Sequence, residues 1–89
     1  MINKDDVKKP VALVKLGIDY QQIGEYDRAI ECYKEALKID PHLSVCWTNM
    51  GMAYREKGEP EKAIECYKKA LEINPHDHQA RFNWGNIYN

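Results

Sequence analysis

Residues 13 to 41 recur without a gap at 47 to 75, an offset of 34, and 14 of the 29 aligned positions are identical. Identity falls on Gly17/Gly51, Tyr20/Tyr54, Gly24/Gly58, Glu25/Glu59, the run Ala29–Lys34/Ala63–Lys68, Ala36/Ala70, Leu37/Leu71, Ile39/Ile73 and Pro41/Pro75. A further shift of 34 sets Asn83, Gly85 and Tyr88 on Asn49, Gly51 and Tyr54, so a third unit opens near His78. Self-similarity at this period is the mark of a stacked array, in which each unit buries its apolar face only against its neighbours.

Punctuation inside each unit predicts two helices: 10–23 and 26–39, 44–57 and 60–73, and a last one over 78–88. Gly24 and Gly58 suit the left-handed conformation that ends a helix, and Pro60 suits a first turn, where no N–H is needed. Asp40-Pro41 and Asn74-Pro75 stop the second helices because proline disfavours helical geometry in the residue before it. Ser44 and Asp77 are expected to cap the helices that follow. Links this short make antiparallel hairpins, and the fold class is all-α: a right-handed alpha-alpha superhelix, or solenoid, of stacked helical hairpins.

At 100° per residue Leu13, Leu16, Gly17 and Tyr20 share one face, and Ala29, Tyr33, Ala36 and Leu37 share the face opposite them. Gly17, Gly51 and Gly85 are expected to admit a neighbouring backbone, and the alanines to let helices cross near aromatic rings.

These residues resemble the tetratricopeptide repeat family over about 80 of the 89 positions. Leu13, Leu16, Gly17, Tyr20, Gly24, Ala29, Tyr33, Ala36 and Pro41 hold the family's signature places in the first unit. Trp47, Met50, Gly51, Tyr54, Gly58, Ala63, Tyr67, Ala70 and Pro75 hold them in the second. The wording AIECYKKALEINP is also similar to the tetratricopeptide arms of O-linked N-acetylglucosamine transferases. The implied organisation is a polar arm at 1–9, repeats at 10–43 and 44–77, and the first helix of a third repeat at 78–89. Asp19 stands where the later units carry Ala53 and Ile87, and a carboxylate there suggests that no hairpin precedes. Arg81 replaces the family's tryptophan, and Trp84 and Tyr88 are expected to lack the helix that would cover them.

Composition narrows the function. Thirteen basic and fourteen acidic residues leave a net charge of −1, which gives no footprint for a phosphate backbone or an anionic membrane. No apolar run approaches a membrane span and the opening residues lack a signal peptide's apolar core, so a cytoplasmic location is expected. Cys32, Cys46 and Cys66 form no CxxC pair and read as small hydrophobes in a reducing compartment. His76 and His78 lack the converging ligands of a metal site, and Glu31, Glu35, Glu61 and Glu65 read as a solvated surface paired with lysines. No phosphate loop, nucleophile elbow or cofactor motif occurs, so the expectation is no enzyme, no cofactor, no metal and no small-molecule substrate.

The remaining candidate is the inner curve of the stack, lined by the first helix of each hairpin. Val14, Ile18, Met52 and Phe82 bring apolar surface to it, of the kind that marks interaction sites. Asn49, Asn83 and Asn86 bring amides able to pair with a peptide backbone whatever its side chains, and Arg55 is a possible fork for a carboxylate. The resemblance to the sugar-transferase arms implies the same use of the asparagines, with Lys15 interrupting the ladder. Family members that hold the terminal carboxylate of chaperones use two lysines, two asparagines and an arginine here. This chain has Val14, Ile18, Asn49, Gln79 and Asn83 at those places, which disfavours that ligand.

The leading expectation is therefore a non-catalytic scaffold that binds a peptide segment of a partner protein in its concave groove. The alternative is structural self-association, as a homodimer or larger oligomer, through Trp84, Ile87 and Tyr88, and the chain could be a fragment of a longer array.

Overall fold

The computed structural model describes residues 9–87 and contains five α-helices: α1 (Pro10–Gln22), α2 (Tyr26–Ile39), α3 (Ser44–Lys57), α4 (Pro60–Ile73) and α5 (His78–Ile87). α1 and α2 form one hairpin and α3 and α4 the next, with α3 packed on α2 and α5 packed on α4. The result is an elongated solenoid measuring 42 × 26 × 16 Å.

Every connection has a local cause. Gly24 and Gly58 take φ of +82° and +91°. This lets the Glu25 and Glu59 amides reach back to the Tyr20 and Tyr54 carbonyls at 2.9 and 2.8 Å, and the Gly24 and Gly58 amides to Gln21 and Arg55. Each helix thus ends in a Schellman motif. Asp40 and Asn74 are extended, as a residue before proline should be. Their side chains each accept the amide two residues on, at 3.1 Å, closing matched Asx turns.

The two expected caps divide. Asp77 caps α5 by accepting the Ala80 amide at 3.0 Å. Ser44 does not cap α3: Leu43 is the extended residue before that helix and makes no side-chain bond, which places Ser44 inside the first turn. Its carbonyl instead lies 3.1 Å from the Thr48 hydroxyl, whose one proton goes to the nearer acceptor, Asp77, at 2.7 Å.

The core is built on ring-to-glycine packing. Tyr33 and Tyr67 are completely buried, and a burial of that size favours folding by roughly 1.5–3 kcal/mol per ring. A Cβ added at Gly17 would lie 2.5 Å from Cε1 of Tyr33, and one at Gly51 2.5 Å from the same atom of Tyr67. The glycines expected to admit a backbone therefore admit a tyrosine ring. Gly85 differs, with nothing within 4 Å of its would-be Cβ among the described residues.

Ala29, Ala36, Ala53, Ala63, Ala70 and Ala80 have no exposed surface, and such small side chains allow helices to cross closely. Cys46, also fully buried, donates its thiol to the Tyr33 carbonyl at 3.4 Å across the α2–α3 junction. Trp47 donates its indole N–H to the Pro41 carbonyl at 3.1 Å, and one repeat later the Arg81 guanidinium donates to the Pro75 carbonyl at 3.0 Å. The replacement of tryptophan by arginine keeps the donor and its target.

Candidate functional site

A cleft of about 420 Å³ opens between α1 and α3, lined by Ile18, Gln21, Gln22, Tyr26, Asn49, Met52 and Glu56. α1 and α3 present these side chains at positions three or four apart, so each helix gives the cleft one continuous stripe. Ile18 and Met52 are half-buried against the core and form its apolar wall.

The polar wall is a linked set. The buried Tyr33 phenol donates to Gln21 Oε1 at 2.7 Å, and Gln21 Nε2 donates to Glu56 Oε1 at 2.9 Å. Tyr26 stands beside Glu56, and that carboxylate raises the phenol's pKa. Gln21 thus fixes Glu56 across the cleft and ties both to the core tyrosine. The second unit has no equivalent, because Arg55 stands at the place of Gln21 and the buried Tyr67 hydroxyl has no hydrogen-bond partner.

Ile18, Asn49 and Met52, read from the sequence as groove residues, come together in this cleft. Val14 and Asn83 do not belong to an open surface. Val14 is only 9% exposed and packs in the core. Asn83 is 5% exposed with its Nδ2 unpaired. The helical wheel placed both on the curve, but neighbouring helices lean over these positions. Arg55, Phe82 and Asn86 are exposed and do not line the cleft, Phe82 retaining 66% of its surface.

Gln21, Gln22 and Glu56 lie three or four residues from Ile18 and Met52, on the inner face of α1 and α3. Tyr26 was missed because it opens α2, whereas the curve was assigned to first helices alone. The departure from the repeat was a signal, since the second unit has Pro60 at that place.

At the far end, Trp84 and Ile87 are half-buried, and Lys68 Nζ of α4 lies 5.7 Å from the centre of the Trp84 ring. Trp84 is thus partly covered by α4, and the rest of its surface is open. Tyr88 lies outside the described residues. Among the described residues no group of His, Cys, Asp and Glu is arranged to hold a metal, and no helix is long and apolar enough to cross a membrane.

The cleft is therefore a polar and apolar slot whose one ionisable carboxylate, Glu56, is held in place. Amides on either side offer donors and acceptors to a backbone. Among the described residues no cation lines it to grip a terminal carboxylate.

The chain belongs to the tetratricopeptide repeat family, whose pattern matches residues 10–43 and 44–77. Its fold is similar to that of the crystal structure of MamA, with a TM-score of 0.87, 28% identity, and coverage of 92% of this chain and 48% of that one. It is similar also to the second tetratricopeptide domain of Spaghetti (RPAP3), whose structure is bound to the HSP90 peptide SRMEEVD. There the TM-score is 0.85 at 23% identity, over 92% of this chain and 76% of that one. A stretch of 38 residues, 43% of the chain, is 47% identical to the auxiliary subunit NAA15 of the N-terminal acetyltransferase A complex of Arabidopsis thaliana. The chain spans only 4% of that subunit and about half of MamA.

Proposed function

We propose that this chain is a non-catalytic interaction scaffold that takes a peptide segment of a partner protein in the concave groove between α1 and α3. The observation that carries this reading is the cleft at Ile18, Asn49 and Met52, with Gln21 and Glu56 locked together beside it. An apolar wall facing fixed amides offers a bound segment both side-chain burial and backbone hydrogen bonds. The similar Spaghetti domain, which holds a peptide, supports the class of ligand, although the chain's own cleft lacks cations for an acidic tail. In this reading two repeats, 10–43 and 44–77, and the first helix of a third, over 78–89, supply the curve. Peptides selected from a random display library on the 89-residue chain should lose about tenfold in affinity on Asn49→Ala with Met52→Ala, at unchanged helical circular dichroism. Undiminished binding by that double variant would remove the groove from the mechanism.

A second reading rests on Gly85, which meets nothing where Gly17 and Gly51 each meet a tyrosine ring. Trp84 lies beside it on α5, and a helix of another copy covering both, with Ile87 at its margin, would give a homo-oligomer. Light scattering after size exclusion, over a wide range of concentration, separates the two. A monomer of 10.4 kDa throughout rejects the second reading, and a dimer dissolved by Trp84→Glu supports it.

A further inference from the structure

A second groove runs between α2 and α4, on nearly the opposite side of α3 from the cleft described above, and encloses about 650 Å³. Its floor is apolar, with Leu37 from α2 and Trp47, Met50 and Tyr54 from α3. Its rim is basic, with Lys34 and Lys38 on one side, Lys62 and Lys69 on the other, and Glu65 as the single acid. Four lysines to one glutamate is a local excess in a chain whose net charge is −1.

We propose that this groove is a second docking site, for an acidic amphipathic segment of a partner protein. The charge of the rim selects the sign of the partner, since like charges would be repelled from both walls. The floor selects its other property. A segment of carboxylates alone would leave the Trp47 edge uncovered, whereas one that alternates carboxylates with bulky apolar side chains at helical spacing covers it and meets both walls.

The lysines are available for such an exchange. Lys38 and Lys69 hold Glu35 and Glu72 of their own helices at 3.1 and 3.7 Å on exposed surface, and Lys62 holds Glu59, the half-buried residue before α4, at 3.4 Å. Exposed pairs of this spacing are weak, so swapping an internal carboxylate for a partner's costs little. Lys34 makes none of these pairs. The two grooves share no lining residue, so this site stands or falls apart from the peptide groove.

The test is a nuclear magnetic resonance titration of the isotope-labelled 89-residue chain with two synthetic peptides. One carries leucines at i, i+3, i+4 and i+7 with glutamates between them, and the other is identical except for lysine in place of glutamate. The acidic peptide should shift the Trp47 indole and the amides around Lys34 and Lys69, and the basic one should not. Lys34→Glu with Lys69→Glu should weaken binding about tenfold or more, while Met52→Ala leaves it unchanged. Added salt should weaken it as well. The proposal is overturned by equal binding of the two peptides, by no shift at millimolar peptide, or by shifts centred on Asn49 and Met52. It is overturned too if phosphatidylserine vesicles capture the chain and the acidic peptide does not.

Discussion

The ring of Tyr67 lies so close against Gly51 that a single added carbon would stand 2.5 Å from its Cε1, and the ring has no exposed edge along which to retreat. Gly51→Ala is expected to destabilise the fold by about 1–2 kcal/mol, the overpacking cost outweighing the better helix propensity of alanine. Gly17→Ala should behave alike, because Tyr33 repeats the contact. Gly85→Ala meets nothing and should stabilise by up to about 1 kcal/mol. Urea midpoints of the three variants decide the matter, and equal effects at residues 51 and 85 would refute the packing argument.

Asp77 acts on two elements at once. One carboxylate oxygen accepts the Ala80 amide at 3.0 Å, and the other accepts the Thr48 hydroxyl at 2.7 Å. Asp77→Ala should therefore cost about 1–2 kcal/mol and speed hydrogen exchange across α5 first. Uniform acceleration over all five helices would mean that the cap does not govern α5 locally.

Asn83 is buried with a donor that no group among the described residues accepts. Replacing it with leucine, similar in size and without polar atoms, should raise stability by about 1 kcal/mol. Peptides captured in the cleft should bind the Asn83→Leu chain unchanged, since Asn83 does not line that cleft. A loss of stability would show that the amide has a partner essential to the fold.

Alkali should unfold the chain in a defined window. Burial pushes the Cys46 and Cys66 thiols from 9.0, and the Tyr67 phenol from 10.0, up to about 12. The native state then keeps protons that the unfolded chain has released, so stability is level for these groups below pH 9 and falls between 9 and 12. Each group fully titrated in the unfolded chain alone contributes a slope of about 1.4 kcal/mol per pH unit. Cys46→Ala should reduce the fall by one such share. Parallel stability curves for the variant and the parent would count against this.

Much of the architecture was legible because the sequence punctuates itself. Proline, glycine and Asx residues recur at the same step, and each stops or starts a helix for a reason confined to a few neighbouring atoms. The site was less legible. Asn49 and Asn83 occupy the same place in successive repeats, yet one lines the cleft and the other is buried, because a helical wheel gives direction about one axis and not the lean of the next helix. Trp47 and Arg81 show the converse. They look like a break in the pattern, but both carry an N–H that reaches the carbonyl of the preceding proline. Tyr26 reaches the cleft from the start of a second helix, and the repeat pattern gives no sign of it because a proline stands at the same place in the next unit.

The tie from Tyr33 through Gln21 to Glu56 exists once, although the ring-on-glycine contact beneath it exists twice. Duplication has therefore left two copies that are equivalent as masonry and unequal as instruments. A chimera carrying the second unit in both positions would keep its tyrosines seated and its hairpins stacked, yet it would lose the wire that runs from a core ring to the cleft. Drift at residue 21 would rewrite what the cleft selects without loosening the stack, and drift at residue 17 would do the reverse.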